Sequence, residues 1–566
     1  MATKTNFPVL FLFLLSLLFL SLTLSFCSTH HDFDNDDKDQ NLKHCRQKCQ
    51  EKQPYQQKRC IQDCEEQYGE TKWNPNNLEY HHHHHHQDPE REYKKCQTKC
   101  QLKERGQQQQ KWCEQRCEDR RREQEKKRGQ YEEQQQQQQK NNPYFFDEQS
   151  FNEWYRTQEG NIRVLQRFSK RSNLLRGIEN YRIALLEANP RTFVIPSYFD
   201  AEAVFFVVKG RGTMSLVSQD SRETFNLERG DVIRVPAGTS IHTINRDNKE
   251  KLQIAGIYQS ISIPGRFRDF IGLAGEDPES FYKSFSSEIL EASFNTPKEK
   301  IDRLFSQQKK GIIIKASEEQ IRALSEHASE HTHHEGSSSS GPFNLLNKSP
   351  LHSNRYGKLL QIDGNDYKQL QDLDMSVSFT NITKGGMMAP FYNSKSTRMV
   401  LVVEGKGYFE MACPHLSRER ESTQQGHSSR RGREQEQEQE EQGGGGSHYQ
   451  RVSSRLSPRT LFIIPAGHPT TIVASDNENL QMVVFGINAR NNKKNFLAGS
   501  KNIMNQMAKE AKELGFNIPA KEVEETFNNQ KESFFLPGPH QRQQQREEEE
   551  GLHRVPLTSI FDFVAF

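Results

Sequence analysis

Apolar residues are scarce in this chain. Hydrophobic side chains make up 33% of 566 residues, and tryptophan occurs three times. So little apolar material, spread over so long a chain, excludes one continuous core. At least two domains with polar additions are expected. Net charge is missing as well: 77 Lys and Arg against 75 Asp and Glu leave +2. A chain so nearly balanced has no global field to attract nucleic acid. Beyond the amino terminus no segment approaches the ~20 apolar residues of a bilayer span, so no membrane span is expected.

The amino-terminal 27 residues have the pattern of a cleaved signal peptide. Lys4 gives the positive start, Val9 to Leu24 the apolar run, and Ser25-Phe26-Cys27 the small residues near a cleavage point. Entry into the secretory route makes the cysteines disulfide candidates. Eight of the ten form two copies of one pattern. Cys45-x3-Cys49 is followed by Cys60-x3-Cys64, and Cys96-x3-Cys100 by Cys113-x3-Cys117. Residues four apart share a helix face, and the short linkers let two helices fold back antiparallel. Four cysteines allow three connectivities. Antiparallel geometry favours the nested one: Cys45–Cys64 with Cys49–Cys60, and Cys96–Cys117 with Cys100–Cys113. Zinc is the weaker reading, because structural sites usually use CxxC spacing and reduced thiols. Residues 91–128 carry 14 Lys and Arg against 7 Asp and Glu, so the second hairpin is basic.

Several tracts are too polar to bury anything: Gln134–Gln139, Ser337–Ser340, and Arg430 through Gly446. His81–His86 and the group His327, His331, His333 and His334 offer imidazoles to a transition metal, but in segments that read more simply as polar linker.

The rest of the chain repeats itself. Val207-Val208-Lys209-Gly210-Arg211-Gly212 recurs as Val402-Val403-Glu404-Gly405-Lys406-Gly407, and Val235-Pro236-Ala237-Gly238 as Ile464-Pro465-Ala466-Gly467. Phe294-Asn295-x-Pro297 recurs as Phe516-Asn517-x-Pro519. The offset lengthens between the first two matches by about the length of the polar tract 417–449, which marks that tract as an insertion in one loop of the second copy. Each copy begins with short β-branched and aromatic runs, such as Tyr181–Leu186, Ala203–Val208 and Leu252–Ile257, punctuated by Gly, Pro, Asn and Asp. Helically spaced apolar residues follow over Pro278–Phe305 and Asn502–Phe527. The expected fold is mainly β: two jelly-roll barrels, each trailed by a helical arm and preceded by disulfide-stapled α-hairpins. The expected domains are a signal over 1–27; a Cys-rich region over 28–142 with hairpins 45–64 and 96–117; and a first barrel and arm over 143–305. A polar linker follows over 306–341, then a second barrel and arm over 342–530, and a tail over 531–566.

Gly230-x5-Pro236-x-Gly238 leading to Asn245 resembles the second motif of cupin barrels. Asn141-Asn142-Pro143-Tyr144, Phe496-Leu497-Ala498-Gly499 and Met411-Ala412-Cys413-Pro414-His415-Leu416, with the Cys-rich region, resemble the vicilins, the 7S seed storage globulins. The resemblance implies a nutrient reservoir that assembles as a homotrimer through its arms and accumulates in the seed storage vacuole. It also implies basic hairpins that, once released, act on microbial membranes or proteases.

Cupin enzymes of the oxalate oxidase or decarboxylase kind, the rival reading, hold a metal with three histidines and a glutamate. The first copy has Pro196-Ser197-Tyr198-Phe199-Asp200-Ala201-Glu202 with no histidine, and Ile241 at the expected second-motif histidine. His242, one residue later, faces the other way in a strand. The second copy has Phe391-Tyr392-Asn393-Ser394, Arg398 near the glutamate position and Thr470 for the histidine. A lone Glu202 does not make a metal site, so no catalytic residues and no required cofactor are expected. Cys413 and His415 would share a face if the strand from Tyr408 continued past them, and could then grip one ion. Some vicilins bind copper through a Cys, two His and a Tyr, which the resemblance places at Cys413, His415, His468 and Tyr144. Asn381-Ile382-Thr383 is a glycosylation sequon at an expected strand end. Asn347-Lys348-Ser349 is a second, weakened by Pro350.

Overall fold

The computed structural model describes residues 89–103, 111, 113–122, 142–326, 328, 341–416 and 449–541. The signal, the hairpin 45–64, the histidines of both tracts, most of the insertion 417–449 and the end of the tail lie outside the described residues. The chain divides into two units, Met1–Gly129 and Gln130–Phe566.

In the first unit a helix over Pro89–Lys103 and a second over 113–122 are tied by Cys96–Cys117 and Cys100–Cys113, with Cα separations of 5.9 and 5.7 Å. This is the nested pairing expected from the spacing. Arg121 lies over the ring of Tyr93 at 4.7 Å, and Gln97 donates to the Tyr93 hydroxyl.

The second unit holds two barrels of two sheets each. In the first barrel one sheet has the order Asp269–Phe270, Thr192–Phe199, Ser240–Asn245, Arg211–Val217, Arg222–Glu228. In the second barrel the matching sheet runs Lys494–Phe496, Gly386–Asn393, Thr470–Ala474, Gly407–Cys413, Gln450–Leu456. The other sheet of each barrel has seven strands, and one edge strand of each comes from the other half of the chain. Phe145–Phe146, ahead of the first barrel, pairs with Leu461–Ile464 of the second. Phe343–Asn344, ahead of the second, pairs with Asp231–Val235 of the first. Each barrel therefore closes an edge of its neighbour, and an edge so covered is no template for aggregation.

The central strands of the seven-stranded sheets are buried on both faces, which is why Ala203-Val204-Phe205-Phe206-Val207 is an unbroken apolar run instead of an alternating one. Ala203, Phe205 and Val207 fill the first barrel. Val204 and Phe206 join the core shared with the second, where Phe206 stacks on Phe379.

The arms are helix pairs, Ser287–Phe294 with Lys298–Ser306 and Lys509–Phe516 with Ala520–Asn528. The repeated Phe-Asn-x-Pro is their corner. Asn295 and Asn517 adopt the left-handed conformation that ends the first helix (φ 46° and 54°), and the proline opens the second.

Residues 306–341 are not linker throughout. Ile313–Lys315 pairs with Thr192–Phe199, and a helix over Glu318–Ser325 starts on a capping box between Ser317 and Gln320. Ile312, Ile313 and Ile321 are buried, so this stretch had apolar material to fold with. The tail from 531 likewise begins with a strand, Phe535–Pro537, paired with Gly386–Asn393. In both copies the arm thus returns its chain to the same strand of its own barrel.

Candidate functional site

The positions of the cupin metal ligands hold other chemistry. Glu202 is ion-paired with Arg234 at 3.0 Å. Ile241 is part of the first barrel's apolar core, while His242 pairs across to Ser215 and packs on Phe193. In the second barrel Thr470 is buried and donates to the His468 carbonyl.

The copper-candidate residues are brought together from distant parts of the chain. The amino-terminal strand exchange carries Tyr144 onto the second barrel, where its carbonyl accepts from Ile463 N. Its hydroxyl lies 3.6 Å from Cys413 Sγ, and both side chains are buried. His468 meets the Tyr144 ring edge-on at 6.0 Å between centroids and the His415 ring at 5.4 Å. The Ala466 carbonyl, 3.0 Å from His468 Nδ1, can only accept, so Nδ1 carries the proton. Nε2 then presents a lone pair, buried and without a partner. Burial first, and then the neighbouring His415, hold the His468 pKa below its ordinary value, against the Ala466 hydrogen bond that raises it. An imidazole kept neutral with one lone pair free fits a metal ligand. Full convergence is another matter. Among the described residues the trio of His, Cys, Asp or Glu ligand atoms within 4.8 Å of one another is Cys96, Cys100 and Cys117, whose sulfurs are committed to disulfides. His415 also does not share a strand face with Cys413. The strand ends at Cys413, Pro414 bends the chain, and His415 sits exposed in the turn leading to the insertion.

The two sequons differ from expectation in exposure. Asn381 lies inside Met375–Ile382 with strands on both sides, opposite Lys358 and Gln481, and its Oδ1 is buried. Asn347 is exposed at the end of a short turn. The better presented asparagine is therefore the one followed by Pro350.

A cluster in the second barrel was not anticipated as a site. Arg398 is 4% exposed and makes one hydrogen bond, from Nη1 to Ser376 Oγ at 2.9 Å, leaving Nε unpartnered. Lys494 lies over the Phe391 ring at 5.0 Å. Asn393, cross-strand from Lys494, is fully buried with Nδ2 unpartnered. Among the described residues no carboxylate pairs with either cation. Arg398 standing near the lost glutamate position was the visible signal; the position of Lys494 shows only once the strands are in register.

A family model described as cupin matches residues 156–302 and 343–524, so the protein is built of two cupin domains. Vicilin Jug r 6.0101 of Juglans regia is 50% identical over 415 residues, 72% of this chain and 79% of that one. Vicilin Pis v 3.0101 of Pistacia vera is 40% identical over 575 residues, 96% and 99% of the two chains, a span that takes in the Cys-rich region. The Macadamia integrifolia protein named vicilin-like antimicrobial peptides 2-2 is 48% identical over 75% of this chain, and the match spans 62% of that longer protein. Among solved structures, vicilin from Corylus avellana superposes with a TM-score of 0.62 at 48% identity, over 70% of this chain and all of that one. A Solanum melongena vicilin, described as holding different anionic ligands in structurally similar pockets, gives 0.63 at 41% identity over 70% and 98%. This chain belongs to the vicilin family of seed globulins.

Proposed function

We propose that the protein is a seed storage globulin, laid down as a nutrient reservoir and digested at germination, and not a metal-dependent cupin enzyme. The observation that carries this reading is that both barrels keep their fold while Ile241, Arg398 and Thr470 replace the ligands of a cupin metal. A signal over 1–27 and delivery to the storage vacuole fit it. So does assembly as a homotrimer, because both arms leave large apolar side chains exposed: Phe285 and Leu304 in the first, Leu514 and Phe516 in the second. The basic hairpin fits release as a defence peptide, and the Macadamia relative is named for antimicrobial peptides. The test is direct: the purified protein, reconstituted with manganese and given oxalate, is expected to show no turnover. Turnover lost on Glu202→Ala would overturn the reading.

A second reading is favoured by the unpartnered Nε2 of His468: copper held by Cys413, His415, His468 and Tyr144. A thiolate, two imidazoles and a phenol suit copper better than the oxygen-seeking magnesium or calcium. Filling the set would require the exposed His415 to turn inward, a small movement for a turn residue. The unpartnered Nε of the buried Arg398 favours a further ligand, a small anion of the general kind described for the Solanum melongena relative.

A further inference from the structure

The described hairpin gathers four cysteines on two facing helices. Cys96 and Cys100 lie four residues apart on Pro89–Lys103, and Cys113 and Cys117 four apart on the helix over 113–122, so each pair shares one helix face. The bridges join those faces, with Cα separations of 5.9 and 5.7 Å. Sulfurs of different bridges are close as well. Cys100 Sγ lies 3.5 Å from Cys117 Sγ, and the sulfurs of Cys96, Cys100 and Cys117 all lie within 4.8 Å of one another. Cys113, bonded to Cys100, is the fourth member of the cluster. Cys100 and Cys117 are buried, at 2% and 3% exposure.

That spacing is the one a tetrahedral thiolate centre requires. Zn–S bonds near 2.3 Å set the edge of such a tetrahedron at about 3.8 Å. The sulfurs of the two bridges are thus already separated by about the distance that one metal ion would impose. CxxC spacing, usual in structural zinc sites, serves ligands carried on turns. On a helix the step that keeps two ligands on one face is three or four residues, as in the HExxH zinc sites, so CxxxC is its helical counterpart. While bridged, the sulfurs have no thiolate to offer. Reduced, the hairpin presents four thiols on two short helices, and soft thiolates select zinc over calcium or magnesium. The charge also fits. A Zn(Cys)4 centre carries −2, and residues 91–128 hold 14 Lys and Arg against 7 Asp and Glu, an excess of cations that favours the thiolate form.

We propose that the reduced hairpin is a zinc site, with Cys96, Cys100, Cys113 and Cys117 as its four ligands. Disulfides and metal are then alternative staples of one helix pair, and the redox state selects between them. In the first step each bridge takes two electrons and two protons from a dithiol, which leaves as its own disulfide; two dithiols return four thiols. In the second step four Zn–S bonds form as the four S–H protons pass to solvent, with no change in oxidation state. Metal binding then supplies the folding free energy that the bridges supplied before.

The test reduces the full-length protein with a dithiol, removes the dithiol without oxygen, and titrates cobalt(II) as a coloured probe that zinc displaces. The parent should show thiolate charge-transfer and tetrahedral cobalt bands, and should bind one more cobalt per chain than Cys100→Ser/Cys113→Ser. Cys45, Cys49, Cys60 and Cys64, which repeat the pattern, stay in both proteins and cancel in the difference. Cys113→His cannot bridge to Cys100 but keeps a zinc ligand, so it should keep the additional cobalt. Hydrogen exchange resolved by segment should show both helices losing protection on reduction and regaining it with zinc, in the parent and in Cys113→His but not in the double serine variant. Equal cobalt–thiolate absorption in the parent and the double serine variant would overturn the proposal. So would helices of the reduced parent that stay unprotected in saturating zinc.

Discussion

Arg398 and Gly486 are direct cross-strand neighbours, and the guanidinium occupies the space over the glycine: a Cβ there would stand 2.6 Å from Nη1. The glycine is thus required by its neighbour's side chain, not by its own backbone conformation. The same register in the first barrel pairs Ala203 with Tyr258, a small residue under a large one. The two halves have exchanged which strand supplies the bulk.

Lys494 gives this cluster a pH dependence. Burial, and then Arg398, push its pKa down to about 7, while burial, and then Lys494 and Lys501, push that of His352 down to about 4. With the folded pKa below the unfolded one, the unfolded chain binds more protons from about pH 7 to pH 10, so this group's contribution to stability rises with pH across that window. Below pH 7 the full cost of the half-buried ammonium is present. Lys494→Met should therefore exceed the anion-free parent in stability at pH 6, by about 1–4 kcal/mol. The gap should close towards pH 10 and shrink at pH 6 in saturating acetate. Thermal unfolding at the two pH values checks this, and a gap that widened with pH would contradict it.

For the copper reading, the purified protein should bind up to one copper per chain. Cys413→Ser should abolish binding and His468→Ala should weaken it by roughly 10–100-fold. Both variants should fold, because the second barrel's core does not depend on a metal. Metal analysis after dialysis, with circular dichroism alongside, is the measurement. Stoichiometric reaction of Cys413 with a thiol reagent in the copper-loaded protein would remove it as a ligand.

The arms should govern assembly. Leu304 is 65% exposed and Leu514 86% exposed in a single chain. Leu304→Glu with Leu514→Glu is expected to give monomers with barrels of near-parental stability, since neither residue supports a barrel core. Sedimentation of the parent as a trimer and of the variant as a monomer is the predicted pair of results. A parent that sediments as a monomer at moderate salt would count against arm-driven assembly.

Reduction should separate the hairpin from the rest. Two bridges tie the helices over Pro89–Lys103 and 113–122, and losing a bridge from so small a unit typically costs about 2–5 kcal/mol. A reductant should melt the hairpin while the barrels, with Cys413 as their only cysteine, keep their transition. Hydrogen exchange resolved by segment would report it.

Much of this fold is written locally. The repeated Gly-x-Gly and Phe-Asn-x-Pro segments announce two copies, because turns and helix corners need particular residues at particular positions. The nested disulfides follow from spacing alone. The strand exchange is not legible, because Tyr144-Phe145-Phe146 pairs with residues more than three hundred positions away and two-residue strands have no periodicity. Ile312-Ile313-Ile314 is a β-branched run, too short among the polar residues of 306–341 to stand out as a strand. His415 would share a face with Cys413 only in a strand that ran past it, and the strand ends at Cys413. The absence of the enzyme's metal set could be read position by position. What stands in its place in the second barrel, Arg398 against Gly486, appears as a pair only when the two strands are aligned in register.

The most direct measurement of the central claim is the amount of this chain through the life of the seed, followed by immunoblotting from early embryo to established seedling. A storage globulin should rise to abundance during maturation, stay intact in the dry seed and disappear within days of germination. A scarce, constant level through all three stages would contradict the account.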